Sequence, residues 1–388
     1  MTLRQWLPLL GITLSAFIFN TSEFMPIGLL TDIAKDFQMT ESGAGSLITI
    51  YAYVVMAMSL PLMMIFSRCP LRPLLLGVIT LFAVCQVLSG IATGYYTLLA
   101  SRIGVACAHS IFWSIAAPVA VRIVPEKSQA TAMGMVVTGT SIAMIFGLPL
   151  GRSIGLLAGW RSTFLCLAVV SFVALAYLAV LLPKVSGNAP FNISDLPQIY
   201  KNPVLPGLFL LSLLIPTAYF TTYSYIEPFL LQVGHYPDNW VTVILTIFGA
   251  AGLLGSYLFS HLYNAHRYSF LPMSIGLIMA SLFLLLPASG SLYTIIPLSI
   301  LWGISVTAFN VTGQAEVIQS TDSATAPVAM SILSGIYNLG IGSGTWLGGS
   351  ICTYFSIAYI GYVGAALAFL SLLYCLFCMI PAMKKYKR

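Results

Sequence analysis

Three ionisable residues stand inside stretches otherwise apolar enough to cross a bilayer: Glu23 within FIFNTSEFMPIGLL, and Arg102 and His109 within TLLASRIGVACAHSIFWSIAAPVAV, Thr97 to Val121. A charged side chain near the bilayer centre costs roughly 2.5 to 3.5 kcal/mol on insertion scales, so such residues face a partner or a water-filled cavity. On a helix, seven positions leave Arg102 and His109 about 20° apart on one face, with Trp113 one turn beyond His109. Glu23 lies about 16 residues into its span from one side and Arg102 about five into its span from the other. At about 1.5 Å per residue both fall in the same half of a roughly 30 Å core. They are within reach of pairing, as a fixed buried salt bridge or as an acid that alternates between a form paired with Arg102 and a protonated form. A carboxylate set between burial, which disfavours its charge, and a cation, which favours it, can carry a proton. His109 falls about 18 Å in from the outer surface, near the midplane, where it suits substrate binding or proton handling.

The elements that must position these residues are membrane spans. Hydrophobic residues make up 59% of the 388, charged residues only 7%, and apolar runs of about 20 recur along the whole chain. The fold class is therefore an all-α polytopic membrane protein, with twelve spans expected. Among them are span one (Leu7 to Leu30), two (Ala44 to Phe66), three (Pro73 to Ala92), four (Thr97 to Val121), five (Ala130 to Gly151), seven (Leu205 to Leu231), eight (Trp240 to His261), nine (Tyr268 to Leu286), ten (Leu292 to Glu316) and eleven (Ala326 to Gly349). The first run has no small-residue cleavage site behind it and reads as a span, not a signal peptide. With a cytoplasmic N-terminus, Arg4, Arg68, Arg72, Arg122, Lys127, Lys184, Lys201, Arg267 and the basic tail fall inside, and only Lys35, Arg152 and Arg161 fall outside. The positive-inside rule places both termini in the cytoplasm.

The formal net charge of +6 is spread thinly over span ends and forms no patch for nucleic acid. The seven cysteines lie mostly inside spans and read as small apolar residues, the Cys375-x-x-Cys378 pair included. No metal and no cofactor is expected.

The longest polar connection, Pro183 to Pro203, divides the chain into six spans plus six: a bundle at 1–183, a linker at 184–204 and a second bundle at 205–388. Span five recurs in span eleven, Ala132-Met133 as Ala329-Met330 and Gly147 to Gly151 as Gly344 to Gly348. Each copy is a G-x-x-x-G ladder that lets backbones approach closely, and Gly147, Pro149, Gly151, Gly344 and Gly348 are the candidate gating positions.

The second half offers a wall of neutral polar groups. Tyr219 and Tyr223 share a face of span seven, Asn310 and Gln314 a face of span ten, and Tyr337 and Asn338 lie near the middle of span eleven. Hydroxyls and carboxamides among aromatic rings suit a neutral polyol better than a cation or a lipid. The candidate substrate ligands are Asn20, His109, Trp113, Tyr219, Tyr223, Tyr337 and Asn338, and the proton-coupling residues Glu23, Arg102 and His109. Glu227, Trp240 and Trp302 read as groups at span ends, the tryptophans as interfacial anchors.

Span five ends G147-L-P-L-G151-R-x-x-G155, followed by G159-W-R-S-T-F164. These residues resemble the antiporter motif of twelve-span proton-coupled exporters in the major facilitator superfamily. The stretches FIFNTSEFMPIGLLTDIA, SRIGVACAHSIFWSIAA, TAYFTTYSYIEPFL and SGIYNLGIGSG are similar to those of bacterial sugar efflux transporters of the SotB type. The loop between spans two and three departs from the family's G-x-x-x-D-R-x-G-R-R, with Ser67 for the Asp and Pro70 for the Gly. The resemblance implies a major facilitator fold and proton-coupled efflux of small, arabinose-like sugars across the bacterial inner membrane by a monomer. Its partners are then a small-molecule sugar, protons and the lipid bilayer. A multidrug or nucleoside exporter is the nearest alternative; a channel or a membrane-embedded enzyme is further off, since the four histidines are scattered.

Overall fold

The computed structural model describes residues 3–66, 69–185, 202–321 and 326–386. Most of the expected linker, and Ser67 and Arg68 of the loop after span two, lie outside the described residues. Among the described residues the regular secondary structure is all helical, and ten helices are long and apolar enough to cross a membrane. Bilayers impose this, because a backbone crossing hydrocarbon must satisfy its own hydrogen bonds.

The helices are α1 (Leu3–Phe24), α2 (Leu30–Asp36), α3 (Glu41–Phe66), α4 (Leu71–Gly90), α5 (Tyr95–Arg122), α6 (Gln129–Ala158) and α7 (Trp160–Leu181). After the linker come α8 (Val204–Tyr223), α9 (Ile226–Gln232), α10 (Asp238–Phe283), α11 (Leu292–Gln319), α12 (Ala326–Tyr354) and α13 (Ile360–Tyr374). The expected eighth and ninth spans meet in the single 46-residue α10, which is kinked at His266 (φ −127°, ψ 32°). The expected eleventh span lies in α12.

The chain forms two compact units, Met1–Gln38 with Val54–Phe191, and Met39–Tyr53 with Asn192–Arg388. In the first, α1 lies along α6 and α7, and α4 packs on α5 and α7. In the second, α8 lies along α12 and α13, and α10 packs on α11 and α13.

The glycine ladders set these contacts. A Cβ on Gly147 would come within 2.8 Å of Thr21 Oγ1, and one on Gly151 within 2.5 Å of Met25 Cγ, so α6 fits against α1 only without side chains there. In the second unit, Gly340 and Gly344 of α12 face the carbonyls of Leu213 and Thr217 at 2.7 and 2.5 Å from a built Cβ, and Gly348 abuts that of Thr221. Lipid tails are as apolar as leucine, so close backbone packing replaces the hydrophobic effect as the force between such helices.

Spans one and seven break at matching places. α1 gives way at Met25 to a 3-10 turn, Met25–Leu29, carrying Pro26, and α8 ends at Tyr223 just before α9, which carries Pro228. Proline returns no N–H to the carbonyl four residues earlier, which loosens the helix at that carbonyl.

Candidate functional site

In the first unit the break at Pro26 organises the site. The carbonyl it leaves open belongs to Ser22, and Arg102 of α5 takes it: Nη2 donates to Ser22 O and Nη1 to Ser22 Oγ, each at 2.9 Å. Gln86 Nε2 of α4 donates to the same hydroxyl. Arg102, Ser22 and Gln86 are all buried, and the guanidinium sits 5.8 Å from the centre of the Phe164 ring.

Among the described residues, Glu23 makes an ion-pair contact with His109, whose Nε2 is 3.8 Å from Glu23 Oε2. This exceeds a hydrogen bond. His109 is wedged between Phe19, 6.3 Å away centre to centre, and Trp113 at 5.9 Å, edge on. The same-face stripe of Arg102, His109 and Trp113 is thus present, but its two ionisable members go to different atoms of α1. The physical reason is that Ser22 offers the guanidinium fork two acceptors at one residue, whereas His109, about two turns further along α5, meets Glu23. Asn20 donates to the Thr140 carbonyl of α6 at 3.3 Å.

In the second unit Tyr219 and Tyr223 are buried and their rings stack at 4.8 Å. Trp302 stands edge-on to both, at 5.7 and 6.0 Å, and Phe248 of α10 closes the group at 5.1 Å from Trp302. Tyr223, Phe248, Ser299 and Trp302 line a small, mostly apolar cavity. Trp302 is 3% exposed, so its expected place as an interfacial anchor is corrected: it is a core member of the aromatic group. Its indole N–H is buried and meets no acceptor among the described residues. Trp240 is 41% exposed, as an anchor would be.

Asn338 of α12 donates to the Ser334 carbonyl at 3.0 Å, while its Oδ1 is buried and meets no donor among the described residues. Tyr337 beside it is half-buried. Asn310 and Gln314 bond each other at 2.8 Å and face outward from their own helix.

Sequence reasoning passed over three buried polar residues, Ser22, Gln86 and Glu316, and set aside a fourth, Glu227. Ser22 and Gln86 are ordinary residues in an apolar helix until α1, α4 and α5 pack. Glu227, read as a group near a span end, is 1% exposed. Glu316, at the end of span ten, is fully buried and accepts from Arg267 Nε at 2.7 Å, Arg267 Nη2 at 2.5 Å and the Tyr263 hydroxyl. An acid in the last turn of one span opposite a basic residue between two others was the available signal.

The family model of the Major Facilitator Superfamily matches residues 12–291 and 241–388. The chain belongs to the major facilitator superfamily. This makes it a multi-pass membrane transporter and gives the buried acid, cation and imidazole of the first unit their setting. Two solved structures share the fold. A bacterial homologue of the human lysosomal transporter Spinster, in an inward-facing and unoccupied conformation, matches with a TM-score of 0.71 at 16% identity, over 100% of this chain and 97% of that one. A POT family transporter in complex with 5-aminolevulinic acid matches with a TM-score of 0.76 at 13% identity, over 97% and 96%. At these identities the likeness extends to the fold of this major facilitator protein alone.

Proposed function

We propose that this transporter exports small neutral sugars or sugar analogues, arabinose-like in size, from the cytoplasm of a bacterium in exchange for protons. The observation that carries this proposal is the 3.8 Å approach of Glu23 and His109 inside a unit where Arg102 is bonded to Ser22. An intramembrane acid beside a proton acceptor, with a fixed cation near it, is a group that loads and releases a proton as access alternates.

Glu23 takes a proton when the site opens outward and returns it when the site opens inward. Arg102 supplies a constant positive field, and His109 receives or orients the proton. The neutral polyol class rests on Tyr219, Tyr223, Tyr337 and Asn338, which donate and accept hydrogen bonds beside aromatic faces and add no charge, with Asn20 and Trp113 as candidates from the first unit. The glycine ladders at Gly147, Gly151, Gly344 and Gly348, with Pro149 between the first two, serve as the surfaces along which helices rock. In this proposal the protein is a monomer in the inner membrane with both termini cytoplasmic, and its two bundles are 1–183 and 205–388.

The test is arabinose counterflow and pH-jump transport in proteoliposomes, wild type beside Glu23→Gln, with lipophilic cations as competitors. Arabinose driven by an imposed proton gradient in wild type, and undriven in the variant, is the expected result. Transport of the cations with no movement of arabinose would transfer the substrate class to the multidrug alternative.

A further inference from the structure

We propose that Ser22, braced by Gln86, is a positioning residue that holds the Arg102 guanidinium off the Glu23 carboxylate, so that Glu23 keeps a transferable proton. This rests on the proton-carrier role of Glu23 and adds the device that makes it workable.

An arginine and a carboxylate side by side in a low-dielectric interior close into a two-pronged pair through the guanidinium's parallel N–H groups. Such a pair holds the carboxylate ionised, lowering its proton affinity by about 1 to 3 pH units when the charges are within roughly 4 to 6 Å. A carrier locked that way is a salt bridge and nothing more.

Here both terminal nitrogens of Arg102 are engaged by the residue immediately before Glu23, one on the Ser22 hydroxyl and one on its carbonyl, each at 2.9 Å. The carbonyl is open to a side chain because the residue four places on is Pro26, which has no N–H to return to it. The hydroxyl is held in turn by the Gln86 amide, and Ser22 and Gln86 are both fully buried. Serine, proline and glutamine together therefore give the cation a neutral mooring of two acceptors, close enough to be felt at Glu23 and committed elsewhere.

The other titratable and charged groups on the elements packed against α1 are His109 and several groups bonded to other residues. On α5, His109 stands at 3.8 Å, and Arg122 lies in the last turn, 20 residues or about 30 Å along the helix from Arg102. On α6, Arg152 donates to the Gly28 carbonyl at 2.9 Å. On α7, Arg161 bonds Asp36 at 2.6 Å, and Tyr177 donates to the Leu7 carbonyl at 2.9 Å. In this proposal Arg102, moored on the residue before Glu23, and His109, 3.8 Å from its carboxylate, are the groups that act on Glu23's proton, and Ser22 governs the first.

The experiment is an infrared pH titration of the full-length protein in liposomes, reading the carboxylic-acid carbonyl band. Glu23→Gln identifies which band belongs to Glu23. In Ser22→Ala the freed nitrogen swings to the carboxylate, and the midpoint is expected to fall by about 1 to 3 pH units. In Gln86→Leu, which keeps both acceptors of Ser22 but loosens its hydroxyl, a smaller fall in the same direction is expected. Were Ser22 a packing residue only, the variants would lose folded yield or transport rate and leave the midpoint in place. Wild-type midpoints in both variants overturn the proposal while leaving the proton-carrier role of Glu23 standing. If Ser22→Ala folds poorly, an unmoved midpoint in Gln86→Leu overturns it alone. A band unaffected by Glu23→Gln overturns the carrier role and this proposal together.

Discussion

Gly348 of α12 lies directly against the carbonyl oxygen of Thr221 in α8, leaving no room for a Cβ. The neighbouring Gly344 meets the Thr217 carbonyl in the same way, at 2.5 Å from a built Cβ, so the two helices are packed backbone on backbone over a full turn. A side chain at either place has to push a helix axis aside. Overpacking of this kind costs about 1 to 3 kcal/mol or more. Gly348→Leu and Gly344→Leu are expected to lower the thermal midpoint of the purified protein and to slow transport, whereas Gly134→Leu, at a glycine with open space around it, is expected to do neither. Equal melting of all three would remove the ladder from any mechanical role.

His109 is buried between Phe19 and Trp113 as well as close to Glu23, so its packing and its proton chemistry separate by substitution. His109→Phe keeps a ring in the aromatic slot and removes both nitrogens. Folded yield near wild type, with pH-driven uptake of protons reduced at least tenfold, is the expected result. Full coupling in this variant would leave Glu23 to act without an imidazole partner.

Trp302 carries a buried N–H with no acceptor among the described residues, and a lone buried donor costs about 1 to 3 kcal/mol until something accepts from it. Trp302→Phe preserves the edge contacts to Tyr219 and Tyr223 and deletes the donor. If a substrate hydroxyl accepts from that N–H, the variant binds sugar about 5- to 10-fold more weakly by calorimetry, the value of one neutral hydrogen bond. Unchanged affinity together with a higher melting temperature would show instead that the N–H is an uncompensated burial cost.

Asn338 is half-satisfied: its amide donates to Ser334, and its carbonyl oxygen has no donor among the described residues. Asn338→Asp keeps size and the acceptor but adds charge, and Asn338→Ala removes both. A role in holding neutral hydroxyls predicts weaker sugar binding in both variants at undiminished membrane yield. Wild-type affinity in both would exclude Asn338 from the site.

Glu316 is completely buried and is matched by Arg267, about a third exposed, and by Tyr263. Breaking a buried pair by removing one member costs about 3 to 5 kcal/mol, since it strands the other charge. Arg267→Met, which leaves the carboxylate inside, is expected to destabilise the second unit far more than the double variant Arg267→Met with Glu316→Met. Additive losses in that cycle would mean that the two side chains are not energetically coupled.

Much of this architecture is legible in one dimension because a bilayer leaves so few choices. Length and hydropathy mark the spans, since each must be helical and about 20 residues long to cross the hydrocarbon. The recurrence of Gly147 and Gly151 as Gly344 and Gly348 marks two related halves, and the close approach at those glycines follows from their lacking a side chain. Glu23, Arg102 and His109 stand out by type alone, because an ionisable residue in an apolar run is too costly to be idle.

Which of these groups touch is another matter. Periodicity puts Arg102 and His109 on one face of α5, yet cannot say which atom of α1 each meets, as that depends on the rotation and height of one helix against another. Packing sent Arg102 to Ser22 and set His109 beside Glu23. It drew Trp302 from an expected interface into the aromatic group around Tyr219 and Tyr223, and it buried Glu316 under Arg267. The sequence by itself determined that the chain crosses the membrane in two related sets of helices and which side chains are too costly to lie in lipid. Only the tertiary structure decided their partners, because a hydrogen bond or ion pair forms within about 3 to 4 Å, a tolerance finer than any helical periodicity can fix.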